Sequence, residues 1–242
     1  MRRNNSLGSV QERERARLYM NNYGRSALLK AASRGDMELC RQLIPRCDVD
    51  FRDKSGGTAL MYAALNGSEE LCQLLLNVHA DVNTKCEDGW TPLMYAASKG
   101  HGEICARLIR HGAKADIRDK DGLSAIMIAV QRGKADTCRV LLRSGADVND
   151  KEKAEGTSVL MKAVKQKQLE VVEVLLSFGA KVDDEDKKGR SVKMMAEQWK
   201  NKALQAKLSK RLQSDGTEGG DSSRDGNPSE NKPDGDHKER SE

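Results

Sequence analysis

Two kinds of apolar cluster alternate along the chain. One is compact and rich in small residues, as in Leu60-Met61-Tyr62-Ala63-Ala64 and Leu93-Met94-Tyr95-Ala96-Ala97. The other carries a pair of large residues, as in Leu75-Leu76, Leu141-Leu142 and Leu175-Leu176. Gly35, Gly67, Gly100 and Gly133 separate the first kind from the second. This alternation predicts a short helix, a left-handed stop and a second helix with a buried stripe. Ser26, Thr58, Thr91, Ser124, Ser158 and Ser191 are placed to cap the first helix through a side-chain oxygen. Pro92 suits its first turn. Glu38, Glu70, Glu103, Asp136 and Glu170 begin the second helix, where acids complement the helix dipole. Alanine pairs in the first helix let neighbouring helices approach closely.

The unit repeats. Gly56, Gly89 and Gly122 are 33 residues apart, as are Gly156 and Gly189, with a step of 34 between Gly122 and Gly156. A period in this range implies stacked units rather than one globule. Asp-x-x-Gly before the first helix, as at Asp53, Asp119 and Asp186, is turn chemistry. The repeats are expected at about 23–52, 53–85, 86–118, 119–151, 152–184 and 185–212, the last a polar C-terminal cap with Lys193 at an otherwise apolar position.

The segment Thr91-Pro92-Leu93-Met94-Tyr95-Ala96-Ala97 resembles the core motif of the ankyrin repeat family, and Asp81-Val82-Asn83 and Asp147-Val148-Asn149 resemble its closing motif. The resemblance covers about residues 23–212. It implies an all-α solenoid of stacked helix-turn-helix units with protruding β-hairpin fingers, and a binding surface on the concave side. Met61, Met94, Met127, Met161 and Met194 stand where the family usually has histidine, so an apolar contact between repeats is expected there. Lys167 and Lys200 stand where a helix-ending glycine is expected, so Lys167 should be left-handed at a cost of about 1 kcal/mol.

Charge modifies this picture. Hydrophobic residues are 37% and charged residues 33% of the 242, a polar balance that suits an elongated stack. Residues 213–242 hold four Lys or Arg against nine Asp or Glu, so the net +5 of the whole conceals a body ten charges positive. Residues 1–22 form a basic arm, expected to be partly disordered. Residues 213–242 lack any aliphatic side chain large enough to offset chain entropy and are expected to be a disordered acidic tail. A basic body and an acidic tail suggest either an acidic partner or a tail that covers the body. Arg2-Arg3-Asn4-Asn5-Ser6 resembles a basophilic kinase site. No apolar run approaches 18 residues, and no signal peptide is visible, so a cytoplasmic or nuclear home is expected, with reduced thiols.

No nucleophile elbow, phosphate loop, zinc-protease pair or kinase motif occurs, so an enzyme is not expected, nor a cofactor or metal. Cys40, Cys72, Cys105 and Cys138 recur at one position of the second helix, as small buried hydrophobes too far apart to bridge. His101 and Cys105 share a helical face, but two ligands do not make a zinc site. The informative positions are those the fold does not need. The resemblance places Trp90, Leu123 and Lys120 on fingers, Tyr62 and Tyr95 on first helices, and Arg34, Asn66, Lys99 and Arg132 at the ends of those helices. These nine residues are the candidate partner-binding surface. The expected function is a monomeric adaptor or scaffold that binds an acidic or phosphorylated protein segment. A nucleic-acid-associated protein using the basic body is the first alternative, disfavoured because acids are interspersed and no stacking platform is evident. A regulatory subunit inhibited by its own tail is the second.

Overall fold

The computed structural model describes residues 26–199, 202 and 204–209. The basic arm, the acidic tail and Lys200 lie outside the described residues.

First helices start at hydroxyls. Thr58, Thr91, Ser124 and Ser158 are buried, and their side-chain oxygens accept the backbone N–H of Met61, Met94, Met127 and Met161 at 3.3–3.5 Å. Each such cap contributes about 1 kcal/mol. Ser191 does the same for Met194 at 3.3 Å. Ser26 departs from the expectation, since it is itself helical. The helices that follow are α1 (26–34), α3 (Ala59–Asn66), α5 (Pro92–Lys99), α7 (Ala125–Gln131), α9 (Val159–Lys165) and α11 (Val192–Trp199). Gly67 and Gly100 end α3 and α5 with φ of 75° and 91°, the left-handed backbone that a side chain disfavours. Lys167 takes that conformation after α9, with φ 57°, as its alignment predicts.

Second helices are α2 (Met37–Leu43), α4 (Glu69–Asn77), α6 (Gly102–Arg110), α8 (Ala135–Arg143) and α10 (Leu169–Ser177). Residues 204–209 are also helical. After α6, α8 and α10 the chain turns on Gly112, Gly145 and Gly179, and after α4 on His79, at φ 62°.

The helices stack in two rows. From α3 to α11 each first helix packs on the next, and from α4 to α10 each second helix does likewise. Ala63, Ala64, Ala96, Ala97, Ala129 and Ala163 are fully buried at the close approach of the first row. Met61, Met94, Met127 and Met161 are buried, the apolar contact expected of them, whereas Met194 in the last repeat is 53% exposed. Cys40, Cys72, Cys105 and Cys138 have no exposed surface, and burial pushes the Cys40 thiol up to about 11 and the other three to about 12. They remain protonated at neutral pH, which suits packing and not reactivity.

The fingers are tight turns, and among the described residues their strand pairing is confined to single antiparallel bridges at Lys151–Ser158 and Glu185–Ser191. A carboxylate takes the place of a ladder. Asp53 accepts the N–H of Ser55 and Gly57, Asp119 those of Asp121 and Leu123, and Asp186 those of Lys188 and Arg190, all at 2.8–3.0 Å.

Main-chain bonds tie the stack along its edges. Glu87 N–H donates to Ser55 O at 2.8 Å, Lys120 to Asp88 at 3.1 Å and Lys187 to Glu155 at 2.9 Å, each joining one finger to the next. Behind them, Asp50, Asn83 and Asn149 accept the N–H of Asp81, Lys114 and Lys181 at 2.8–2.9 Å. The junction between the fingers that precede α7 and α9 has neither kind among the described residues. Its finger carries one extra residue within Glu152–Gly156, which shifts the register. Side chains bridge it instead: Arg118 pairs with Asp150, whose other oxygen accepts the Ser124 hydroxyl.

Candidate interaction surface

Sorting charge by helix row separates two faces. Between α1 and α9 the first helices contain no Asp or Glu, while every second helix from α2 to α10 has an acid in its first turn. Cations of the second row are largely neutralised. Arg41 pairs with Glu70, Arg107 with Glu69 and Glu103 at 3.7 Å, and Arg110 with Glu103 at 3.2 Å. Along the first row, Lys30, Arg34, Lys99, Arg132, Lys165 and Lys167 are exposed, and among the described residues none of them lies within ion-pair distance of an acid, although, behind the Lys188 hydrogen bond, the Lys165 charge reaches Glu155 and helps lower its carboxyl. Lys162 is the exception, since Glu152 holds it at 2.7 Å.

The nine candidate residues separate on this face. Arg34, Lys99 and Arg132 stand exposed at equivalent ends of α1, α5 and α7, and Lys120 stands exposed on the finger before α7. Asn66 occupies the matching place on α3, but its amide donates to the carbonyls of Ala32 and Ser33 at 3.2 and 3.0 Å, so it staples α3 to α1. Leu123 is half-buried, packed against the core.

The aromatic candidates are tied down. Tyr62 donates its hydroxyl to Asp53 at 2.6 Å, reaching from α3 back to its own finger. This bond, with burial second, raises the Tyr62 hydroxyl above its ordinary value. Burial alone would raise the Asp53 carboxyl, but the hydrogen bonds from Tyr62, Ser55 and Gly57 carry it below the usual range. The next repeat repeats the geometry with different chemistry. Cys86 stands where Asp53 does, buried at the foot of the finger, and the Tyr95 hydroxyl donates to its sulfur at 3.5 Å. Burial, then the Cys86 contact, raises the Tyr95 hydroxyl. Trp90 leans on Tyr95 with ring centroids 5.1 Å apart and planes at 57°. Both rings are half-buried, so each keeps surface for a partner. In repeat five Glu152 and Lys162 make the same finger-to-helix link as an ion pair. The spacing of nine or ten residues from finger acid to helix was visible in the sequence. The reach of the side chains across it was not.

Other candidates resolve into structure. The His101 ring lies over Gly67, where a Cβ would sit 2.5 Å from it, so this glycine serves packing as well as turning. Cys105, which shares its face, is fully buried. Among the described residues no group of three or more His, Cys, Asp or Glu could hold a metal ion, and no helix is long and apolar enough to cross a membrane.

Comparison with known families agrees with the geometry. Residues 8–86 and 66–152 match the model for ankyrin repeats in three copies, and residues 155–187 match the model for the single ankyrin repeat. No curated protein matches the chain.

Proposed function

The chain belongs to the ankyrin-repeat family, whose repeats are generally protein–protein interaction modules, and from that premise we propose that its first-helix face binds an acidic or phosphorylated protein segment across repeats two to four. The unpaired cations of that face carry the reading. Lys99 and Arg132 supply charge at equivalent places on adjacent helices, and Lys120 adds to it from a finger. Arg34 extends the row toward α1. Trp90 and Tyr95 supply a fixed aromatic pair beside Lys99, and aromatic and arginine side chains dominate binding energy where they are held in place. Packed helices lie about 10 Å apart, so three repeats give a contact about 30 Å long. That length suits a standard interface of about 800 Å² per partner. Charge of one sign also speeds encounter with an acidic partner and makes binding fall with salt. The protein acts in this reading as an adaptor, without a chemical step of its own.

The test is a set of variants that leave the caps and clamps intact. Trp90→Ala and the double reversal Lys99→Glu/Arg132→Glu should keep the melting temperature of the parent within a few degrees. Affinity capture with mass spectrometry should show the same partners lost from both. Unchanged capture by the folded double variant would remove this face from consideration. Capture of RNA or DNA in place of protein, lost steeply as salt rises, would move the reading to nucleic acid.

A further inference from the structure

The unpaired cations of the first-helix face repeat with the stack. Lys99 and Arg132 hold the same position on α5 and α7, and Lys165 and Lys167 stand at the end of α9. Packed helices are about 10 Å apart, so a chain crossing them meets a cation about every 10 Å in repeats three to five. A chain in the polyproline II conformation advances about 3.1 Å per residue and returns to the same face every third residue. The matching segment therefore carries a carboxylate at every third position. This chain holds such a segment beyond the described repeats. Asp215, Glu218 and Asp221 are spaced by three, and Asp236, Glu239 and Glu242 repeat the spacing. Both runs belong to the stretch 213–242, where acids outnumber bases by nine to four.

We propose that residues 213–242 bind the first-helix face of their own chain, with Asp215, Glu218 and Asp221 opposite Lys165/Lys167, Arg132 and Lys99, and that an acidic partner must displace them. This rests on the proposed reading of that face. The direction follows from where the repeats end. Ser209 is the last described residue, and Asp215 lies six residues further, a reach of up to about 20 Å. That is enough to cross from the second row of repeat six to the first row of repeat five. Each three-residue step then moves one repeat toward the N-terminus. Attachment to the same chain gives the segment a high effective concentration, so weak screened ion pairs suffice to hold it. The segment contains neither tryptophan nor tyrosine, so Trp90 and Tyr95 stay available to a partner that has more to offer than charge.

The experiment uses the full chain. Zero-length carbodiimide crosslinking at low salt, mapped by mass spectrometry, should join Glu218 or Asp221 to Lys99, and Asp215 to Lys165 or Lys167. The yield should not change on dilution, and it should fall several-fold at high salt or in Arg132→Glu. Fluorescent poly-L-glutamate is the external probe. It should bind the variant Asp215→Asn/Glu218→Gln/Asp221→Asn about tenfold more tightly than the parent. A second variant keeps the charge but breaks the spacing: Thr217→Glu/Glu218→Thr with Asp221→Ser/Ser222→Asp. It should lose the Lys99 crosslink while keeping the net charge of the parent. Crosslinks spread evenly over Lys114, Lys181 and the first-row lysines would overturn the inference. So would equal affinity of parent and neutralised variant for poly-L-glutamate, and in that case the binding face itself would still stand. If neither chain binds poly-L-glutamate at low salt, the inference and the reading beneath it fall together.

Discussion

The junction between the fingers that precede α5 and α7 and the junction between those that precede α7 and α9 lie over similar apolar helices, yet they are fastened differently. At the first, the Lys120 N–H reaches Asp88 O across the fingers, and Asn83 clasps both Lys114 N and Gly112 O behind them. At the second, the extra residue of the Glu152–Gly156 finger displaces the turn, and Asp116 at the Asn83 position accepts no such bond among the described residues. Arg118, Asp150 and Ser124 carry the load there. In a stack each repeat contacts only its neighbours, so stability is close to a sum of repeat and interface terms. The contrast teaches where that sum is most exposed: one junction has several small redundant bonds, and the other concentrates its polar fastening in one carboxylate.

Removing that carboxylate should therefore have the largest effect. Asp150 has 8% of its surface exposed and serves both Arg118 and Ser124. Asp150→Ala strands a partly buried guanidinium and a buried hydroxyl, and should cost about 2–4 kcal/mol. Urea unfolding followed by circular dichroism is the measurement. The expected signature is a lower first midpoint and a broadened or divided transition, as repeats five and six part from the rest. A single transition with a loss under about 1 kcal/mol would mean that helix packing alone holds this junction.

Asn83→Ala makes the matching change at the redundant junction. It removes the bond from Lys114 and the bond to Gly112, both on exposed groups, and should cost about 1–1.5 kcal/mol with the transition still single. If it costs as much as Asp150→Ala, the distinction between the junctions disappears.

Much of this architecture was legible in the sequence because local rules fix it. The hydroxyl caps at Thr58, Thr91, Ser124 and Ser158 depend on residues three apart, and they form as the pattern requires. The left-handed Lys167 follows from alignment with Gly67, Gly100 and Gly133. His79 went unread because its neighbours in other repeats, Gly112, Gly145 and Gly179, define a rule that one position breaks. On the candidate surface the charged positions Arg34, Lys99 and Arg132 were readable, since exposure at a helix end follows from the period. The use made of Asn66 and Tyr62 was not. Asn66 reaches carbonyls 33 and 34 residues earlier and Tyr62 a carboxylate nine residues earlier, and such reach depends on how repeats are set against each other.

The two left-handed side chains lie on opposite sides of the weak junction and can be relieved separately. Lys167→Gly in repeat five and His79→Gly in repeat two should each stabilise by about 1 kcal/mol, since a residue with a Cβ is strained at φ 57° or 62°. If the junction divides the stack, Lys167→Gly raises the midpoint of the less stable part and narrows the transition of Asp150→Ala, while His79→Gly widens it. A drop in melting temperature with Lys167→Gly would contradict the alignment of repeat five.

The smallest expected effect separates two fingers on the same side of the junction. Asp53 closes its finger by accepting two backbone N–H groups and the Tyr62 hydroxyl, whereas Cys86 receives only the Tyr95 hydroxyl through a weaker sulfur contact. Cys86→Asp should supply the missing acceptor to Asp88 and Trp90 and stabilise by about 0.5 kcal/mol near neutral pH. The sign of its pH dependence follows from Asp53, whose carboxyl is held below its ordinary value in the folded state once its hydrogen bonds outweigh burial. A carboxyl with a depressed folded pKa contributes fully above the unfolded value of about 4 and loses that contribution as pH falls through the folded value. The gain from Cys86→Asp should thus be present at pH 7 and vanish near pH 3. A gain that persists in acid would show that the aspartate acts by packing beside Trp90 rather than by accepting those bonds, and the two fingers would then differ in shape and not in charge.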